Sequence, residues 1–167
     1  MRAFQIGRSV WDGRLGDALW GGRPSAFKRV VIYRQVVDSI FTYSKMFHPR
    51  EGILLLRGRK KGDALEVDGV VIPPAAVHGG GFSGFSWNLI PMDLSYVGVA
   101  HSHPSGWAVP SHQDVLHVSG KIMVIAGAPY SDDSCLRVYD THGEPLRFEV
   151  KEGAKAPADD ASSEPEF

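Results

Sequence analysis

The stretch Tyr96-Val97-Gly98-Val99-Ala100-His101-Ser102-His103-Pro104, continued by Ser105-Gly106-Trp107-Ala108-Val109-Pro110 and then Ser111-His112-Gln113-Asp114, decides how this chain is read. Its first half has the apolar, β-branched character of a buried strand. Side chains alternate along a strand, so His101 and His103 point the same way, and two imidazoles so placed can grip one ion. Ser111 to Ser119 reads as a helix, on which Ser111 and Asp114 share a face. If that face looks back at the strand end, Asp114 becomes a third ligand. Two neutral imidazoles and one carboxylate leave a zinc ion with net positive charge and an open position, where the pKa of a water would fall to about 7. Structural zinc sites normally close every position with protein groups, so this composition suits catalysis.

Each piece also has a plainer reading. Ser111 after Pro110 is a natural helix N-cap, and Asp114 in the first turn suits the helix dipole. The two histidines could be polar residues at a strand end, while His112 and His117 read as ordinary surface or core residues. The plain readings give no reason for two histidines, a serine and an acid to converge where a strand hands over to a helix. The combination favours a metal.

Working outward, Val30-Val31-Ile32-Tyr33 reads as a strand, followed by a helix from about Arg34 to Met46 that ends before Pro49. Ile53 to Leu56 reads as a strand buried on both faces, entered at Glu51 and closed by Gly58. Arg59 to Asp63 is a polar turn, and Leu65 to Ile72 is the next strand. The glycine- and aromatic-rich stretch after Pro73-Pro74 reads as a functional loop over 77–93. Lys121 to Ala126, Leu136 to Tyr139 and Leu146 to Val150 supply further strands. Residues 1–24, with Trp11 and Trp20 among many large apolar groups, read as an extension packed on a single domain over 25–150. Residues 151–167 read as a disordered acidic tail.

A chain of 167 residues with 43% hydrophobic content supports one compact domain. Eighteen Lys and Arg against 19 Asp and Glu leave a net charge of -1, with no global field for nucleic acid or acidic membranes. The basic cluster Arg57, Arg59, Lys60 and Lys61 reads as a solvated turn, so neither nucleic acid nor membrane is expected as a partner. Neither a secretory signal nor a long apolar span is evident, which predicts a soluble, cytoplasmic protein. Cys135 is the single cysteine, which excludes an internal disulfide and cysteine-paired zinc sites. It reads as structural.

These residues resemble a known family, the JAMM or MPN-plus zinc metalloproteases, whose signature is a distant Glu followed by H-x-H-x7-S-x2-D. His101-x-His103, seven residues, Ser111, two residues and Asp114 fit it without a gap. The family's Glu opens a buried strand running seven positions to a glycine, as Glu51 runs to Gly58. Leu54 departs from the small residue that many members carry three after the Glu. The resemblance covers roughly Phe27 to Val150. It implies an α/β fold, a single MPN domain of the cytidine-deaminase-like kind with a curved mixed β-sheet flanked by helices. It also implies zinc as cofactor and cleavage after the C-terminus of ubiquitin or a ubiquitin-like modifier. Proteasome-lid-type deubiquitinating isopeptidases and an archaeal homologue of them are the forms considered, with the proteasome or another protease complex as a further partner.

On this resemblance His101, His103 and Asp114 hold zinc, Glu51 is the general base and acid, and Ser111 stabilises the oxyanion. Glu51 is preferred over Glu66, which reads as a solvated mid-strand residue, and over Asp68 and Asp93, which flank turns. Phe82, Phe85 and Trp87 in the 77–93 loop are candidate substrate-binding residues, fencing an extended tail held by strand addition; for Phe85 and Trp87 a core role is equally open. The alternatives are an MPN scaffold module of a larger protease complex, and a same-fold hydrolase acting on a sulfur-carrier protein or a cysteine-bearing small molecule. The absence of an H-x-E and paired-cysteine signature disfavours a zinc nucleobase deaminase.

Overall fold

The structure is a computed structural model in which residues 27–74, 76–78, 83–84 and 95–153 are described. Seven strands, β1 (Arg29–Tyr33), β2 (Ile53–Lys61), β3 (Ala64–Val71), β6 (Tyr96–His103), β7 (Ile122–Gly127), β8 (Leu136–Asp140) and β9 (Phe148–Lys151), form one mixed, curved sheet. Their order across it is β8-β7-β6-β2-β3-β1-β9. Helix α1 (Arg34–Phe47) follows β1 and helix α2 (His112–His117) follows β6. β6 runs parallel to β7 and antiparallel to β2, while β1 runs parallel to both β3 and β9.

Helix α1 forms because Val36, Val37, Ile40, Phe41, Tyr43 and Ser44 fall on one face at helical spacing and are buried there. It ends at His48, the residue before Pro49, where the proline disfavours a helical conformation. That face packs with Leu54, Leu56, Ala100 and Val124 in the larger core cluster. The alternate residues Leu55, Val99, Met123 and Ile125 form a second cluster on the opposite face, where Val115 of α2 and Val118 pack. The sheet therefore has a helix on each face, and the sequence expectation that the β2 run Ile53–Leu56 is buried on both faces holds.

Several expected boundaries move. Gly58 does not close β2. It sits at a β-bulge where the pairing with β3 shifts register, and a Cβ there would stand 2.0 Å from the Glu66 carbonyl oxygen. The strand continues to Lys61, leaving only Gly62 and Asp63 to turn the chain, with Gly62 at a φ of 61°. Glu66 is not a solvated face residue. It is 6% exposed, with the Tyr33 hydroxyl 3.4 Å away and Lys61 Nζ at 3.8 Å, because both sides of β3 are covered. Helix α2 is shorter than expected, with Ser111 outside it as the cap. β9 reaches Lys151, the first residue assigned to the tail. In the 77–93 loop, Val77–His78 (β4) pairs antiparallel with Ser83–Gly84 (β5). Phe82, Phe85, Trp87, residues 1–24 and most of the tail lie outside the described residues.

Candidate metal centre

His101 and His103 end β6, in register with Ile125 and Gly127 of β7. Both are buried, and alternation turns them to the face that carries α2. Ser111 and Asp114 form a capping box at the start of α2. The Asp114 N–H donates to Ser111 Oγ at 3.1 Å, and the Ser111 N–H donates to Asp114 Oδ2 at 2.7 Å. The same carboxylate faces the histidines, with Oδ1 3.9 Å from His101 Nδ1 and Oδ2 3.4 Å from His103 Nε2. The plain reading of Ser111 and Asp114 as a cap and the convergence on the two imidazoles are therefore both present.

Glu51 comes from the segment just before β2. Ile53 pairs with His101, and the Ser102 N–H donates to the Gly52 carbonyl at 3.0 Å, so the same antiparallel register brings Glu51 opposite His103. Burial raises the Glu51 carboxyl above its ordinary value; His103 pulls it back and Asp114 adds to the rise. Its neighbours show that Glu51 lies within electrostatic reach of both.

The histidines differ in state. Burial pushes His101 down to about 4, against the attraction of Asp114, so its ring is neutral at ordinary pH. Burial would lower His103 as well, but hydrogen bonds to Asp114 and to the Trp107 carbonyl, with the charges of Asp114 and Glu51, outweigh it and raise the imidazole. Burial pushes Asp114 up, but hydrogen bonds from His103 and Ser111 and the proximity of His101 hold it well below the usual carboxylate range.

Whether these groups suit a metal is a matter of donor chemistry and spacing. His103 Nδ1–H donates to the Trp107 carbonyl at 2.9 Å, and a carbonyl only accepts, so in the neutral ring the Nε2 lone pair is the one facing Asp114. Bonds of 2.0–2.1 Å to a tetrahedral ion separate its ligand atoms by about 3.4 Å. His103 Nε2 stands at that spacing from Asp114 Oδ2, while the 3.9 Å contact of His101 Nδ1 is with the other oxygen, Oδ1. Among the described residues no group of three or more His, Cys, Asp or Glu is placed to hold a metal ion. By donor chemistry, two imidazoles and a carboxylate suit a divalent ion of zinc's preference.

The loop that carries Trp107 is fixed from several sides. The His103 carbonyl accepts N–H bonds from Gly106 and Ala128, each at 3.1 Å, and the Tyr139 hydroxyl donates to the Ala108 carbonyl at 2.7 Å. A Cβ on Gly127 would meet the Gly106 carbonyl oxygen at 2.5 Å, so the loop lies directly over the end of β7. The contributions of Ser102, the Trp107 carbonyl and Tyr139 are absent from the sequence reading. The polar Ser102 within a buried strand was the available signal; a backbone carbonyl leaves none.

The fold and this site define an α/β domain with a histidine and carboxylate cluster at the end of a central strand. Residues 33–139 match the family of prokaryotic homologues of the JAB domain. A probable metalloprotease of Haloferax volcanii is 34% identical over 128 residues, spanning 72% of this chain and 79% of that protein. A solved structure described as a JAMM metalloprotease-like zinc site in the proteasome and signalosome superposes with a TM-score of 0.54 at 28% identity, over 74% of this chain and 98% of that one. A JAB1/MPN domain protein from Archaeoglobus fulgidus gives 0.53 at 27% identity, over 74% and 97%. The chain belongs to the JAMM/MPN family, a metalloprotease-like family. No helix among the described residues is long and apolar enough to cross a membrane.

Proposed function

We propose that this chain is a zinc-dependent metalloprotease or isopeptidase that hydrolyses the bond following the C-terminus of ubiquitin or a ubiquitin-like modifier. The observation that carries the proposal is the meeting of His101, His103 and Asp114, contributed by a strand and a helix, beside the Glu51 side of β2. His101, His103 and Asp114 are the proposed ligands. When bound, zinc supplies Lewis acidity and positive charge at neutral pH.

The remaining work belongs to the chain. Glu51 accepts a proton from the attacking water as its oxygen bonds to the carbonyl carbon, then delivers that proton to the departing amine nitrogen as the C–N bond breaks. A carboxyl whose burial raises its basicity suits this exchange. Ser111 Oγ accepts from the Asp114 N–H, and its hydroxyl hydrogen, which otherwise reaches the Asp114 carboxylate, is the proposed donor to the oxyanion. Trp107, Val109 and Leu116 are 75%, 60% and 65% exposed around the 104–117 segment, an apolar margin suited to a protein substrate.

The test is incubation of zinc-loaded protein with ubiquitin-like fusions, alongside Glu51→Gln and His103→Ala. Cleavage that disappears on chelation and in both variants supports the proposal. Cleavage that survives chelation removes the metal mechanism, and survival in Glu51→Gln alone removes Glu51 as base. Stable association with a larger protease without any cleavage supports an assembly role instead.

A further inference from the structure

Ser102 stands between the two proposed histidine ligands but faces the other way. Strand alternation turns its side chain to the side of β6 opposite His101 and His103, where the residue is 1% exposed. A hydroxyl buried in a strand costs stability unless it is hydrogen-bonded, so its partner is informative. Ser102 Oγ accepts from the Gly52 N–H at 2.7 Å.

That bond completes a rung of the sheet in an uncommon way. Ile53 pairs with His101, so Gly52 falls opposite Ser102. In a hydrogen-bonded antiparallel pair the two residues exchange both of their backbone N–H to carbonyl bonds. Here the Ser102 N–H donates to the Gly52 carbonyl at 3.0 Å, but the return bond from Gly52 ends on the Ser102 side chain. One residue thereby holds both peptide groups that flank the Gly52 Cα. The first of them carries the carbonyl of Glu51, so its orientation sets the direction in which the chain leaves the Glu51 Cα. The approach leaves little room for a side chain at Gly52, where a Cβ would stand 3.0 Å from the Tyr43 ring and 3.4 Å from Ser102 Oγ. On the other side of Glu51, the Arg50 N–H donates to the Phe47 carbonyl at 2.8 Å.

We propose that Ser102 is a positioning residue for Glu51: its paired hydrogen bonds to Gly52 fix the peptide group that follows Glu51 and so set where the Glu51 carboxylate stands. This rests on the reading of Glu51 as the base. Ser102 acts through Gly52 and does not touch substrate. Ser102→Ala keeps the backbone bond to Gly52 and removes the hydroxyl one, freeing the peptide group nearest Glu51 from the face of β6 that carries no proposed ligand.

The experiment compares Ser102→Ala and Ser102→Thr with the unaltered protein, metal-free and zinc-loaded. Amide exchange at Gly52 is measured first, then kcat and KM on ubiquitin-like fusions, and bound zinc. In Ser102→Ala the Gly52 amide is expected to exchange about tenfold faster while Val124 in β7 stays protected. Its kcat is expected to fall about tenfold with KM and zinc content unchanged, because a displaced base slows the chemical step and leaves the binding surface intact. Ser102→Thr, which keeps the hydroxyl, is expected to recover Gly52 protection and turnover together. Unchanged Gly52 exchange in Ser102→Ala overturns the proposal whatever happens to turnover, as does a Ser102→Thr protein that recovers only one of the two readouts or neither. A fall in kcat explained entirely by lost zinc overturns it too. If the unaltered protein cleaves no fusion, the proposed function fails, and Gly52 exchange in the metal-free proteins alone decides whether Ser102 holds this peptide group.

Discussion

Asp114 shares one carboxylate between two tasks, since its Oδ2 accepts from the Ser111 N–H at 2.7 Å and faces His103 Nε2 at 3.4 Å. Ser111 is shared in the same way between capping α2 and the proposed contact with an oxyanion. The two tasks of Ser111 separate by substitution. Ser111→Asp keeps a good N-cap acceptor but offers no donor, so its melting temperature should stay near that of the parent while turnover falls about 10²- to 10³-fold. Ser111→Ala should lose both, with about 1 kcal/mol of stability gone as well. Thermal unfolding and steady-state kinetics on the same preparations check this, and equal turnover in Ser111→Asp and the parent would remove the donor role.

The elements around the site act through backbone contacts. Gly127 lies beneath the loop that presents the Trp107 carbonyl to His103 Nδ1. Gly127→Ala would push its Cβ against the Gly106 oxygen, displacing the acceptor that orients a proposed ligand. Zinc affinity is therefore expected to drop about 10- to 100-fold although no ligand has changed, a loss measurable by chelator competition. Helix α1 provides the contrast. Ile40→Ala, in its fully buried face, should cost about 2–5 kcal/mol in denaturant unfolding and leave zinc affinity of the folded fraction as it was. A change in affinity there would mean that α1 supports the site more directly than the two-sided packing suggests.

Across the whole molecule, Arg34 at the start of α1 clamps Asp133, with bonds of 2.7 and 2.8 Å, and reaches Glu152 at 3.1 Å. The clamp joins α1 to the segment before β8 and to the end of β9. The hydrogen bond from Arg34 holds the Asp133 carboxyl below its ordinary value, so its folded-state pKa is depressed. Such a group stabilises above the unfolded value of about 3.9, and the contribution is lost as pH falls through the folded value. Asp133→Asn should therefore be less stable than the parent at pH near 7 and converge with it in acid, as pH falls through the depressed folded-state value. Because side-chain exposures are 32% and 42%, screening limits the difference to about 1 kcal/mol or less. A gap that widens on acidification would show the sign to be wrong.

The sequence alone determined that His101 and His103 share one side of their strand, that Asp114 shares a helix face with Ser111, and that α1 has one apolar face. Each is a matter of period within a single element, so neighbouring residues suffice. It misjudged Glu66 because alternation within β3 cannot report whether both its sides are covered, and it misplaced the end of β2 because the bulge at Gly58 exists only against a partner strand. Only the tertiary structure decided that Asp114 of α2 comes within 3.4 Å of His103, that the β2–β6 register carries Glu51 toward it, and that Ser102 Oγ accepts from the Gly52 N–H. Those distances depend on register between strands and on loops pinned by distant backbone groups, which no local periodicity encodes.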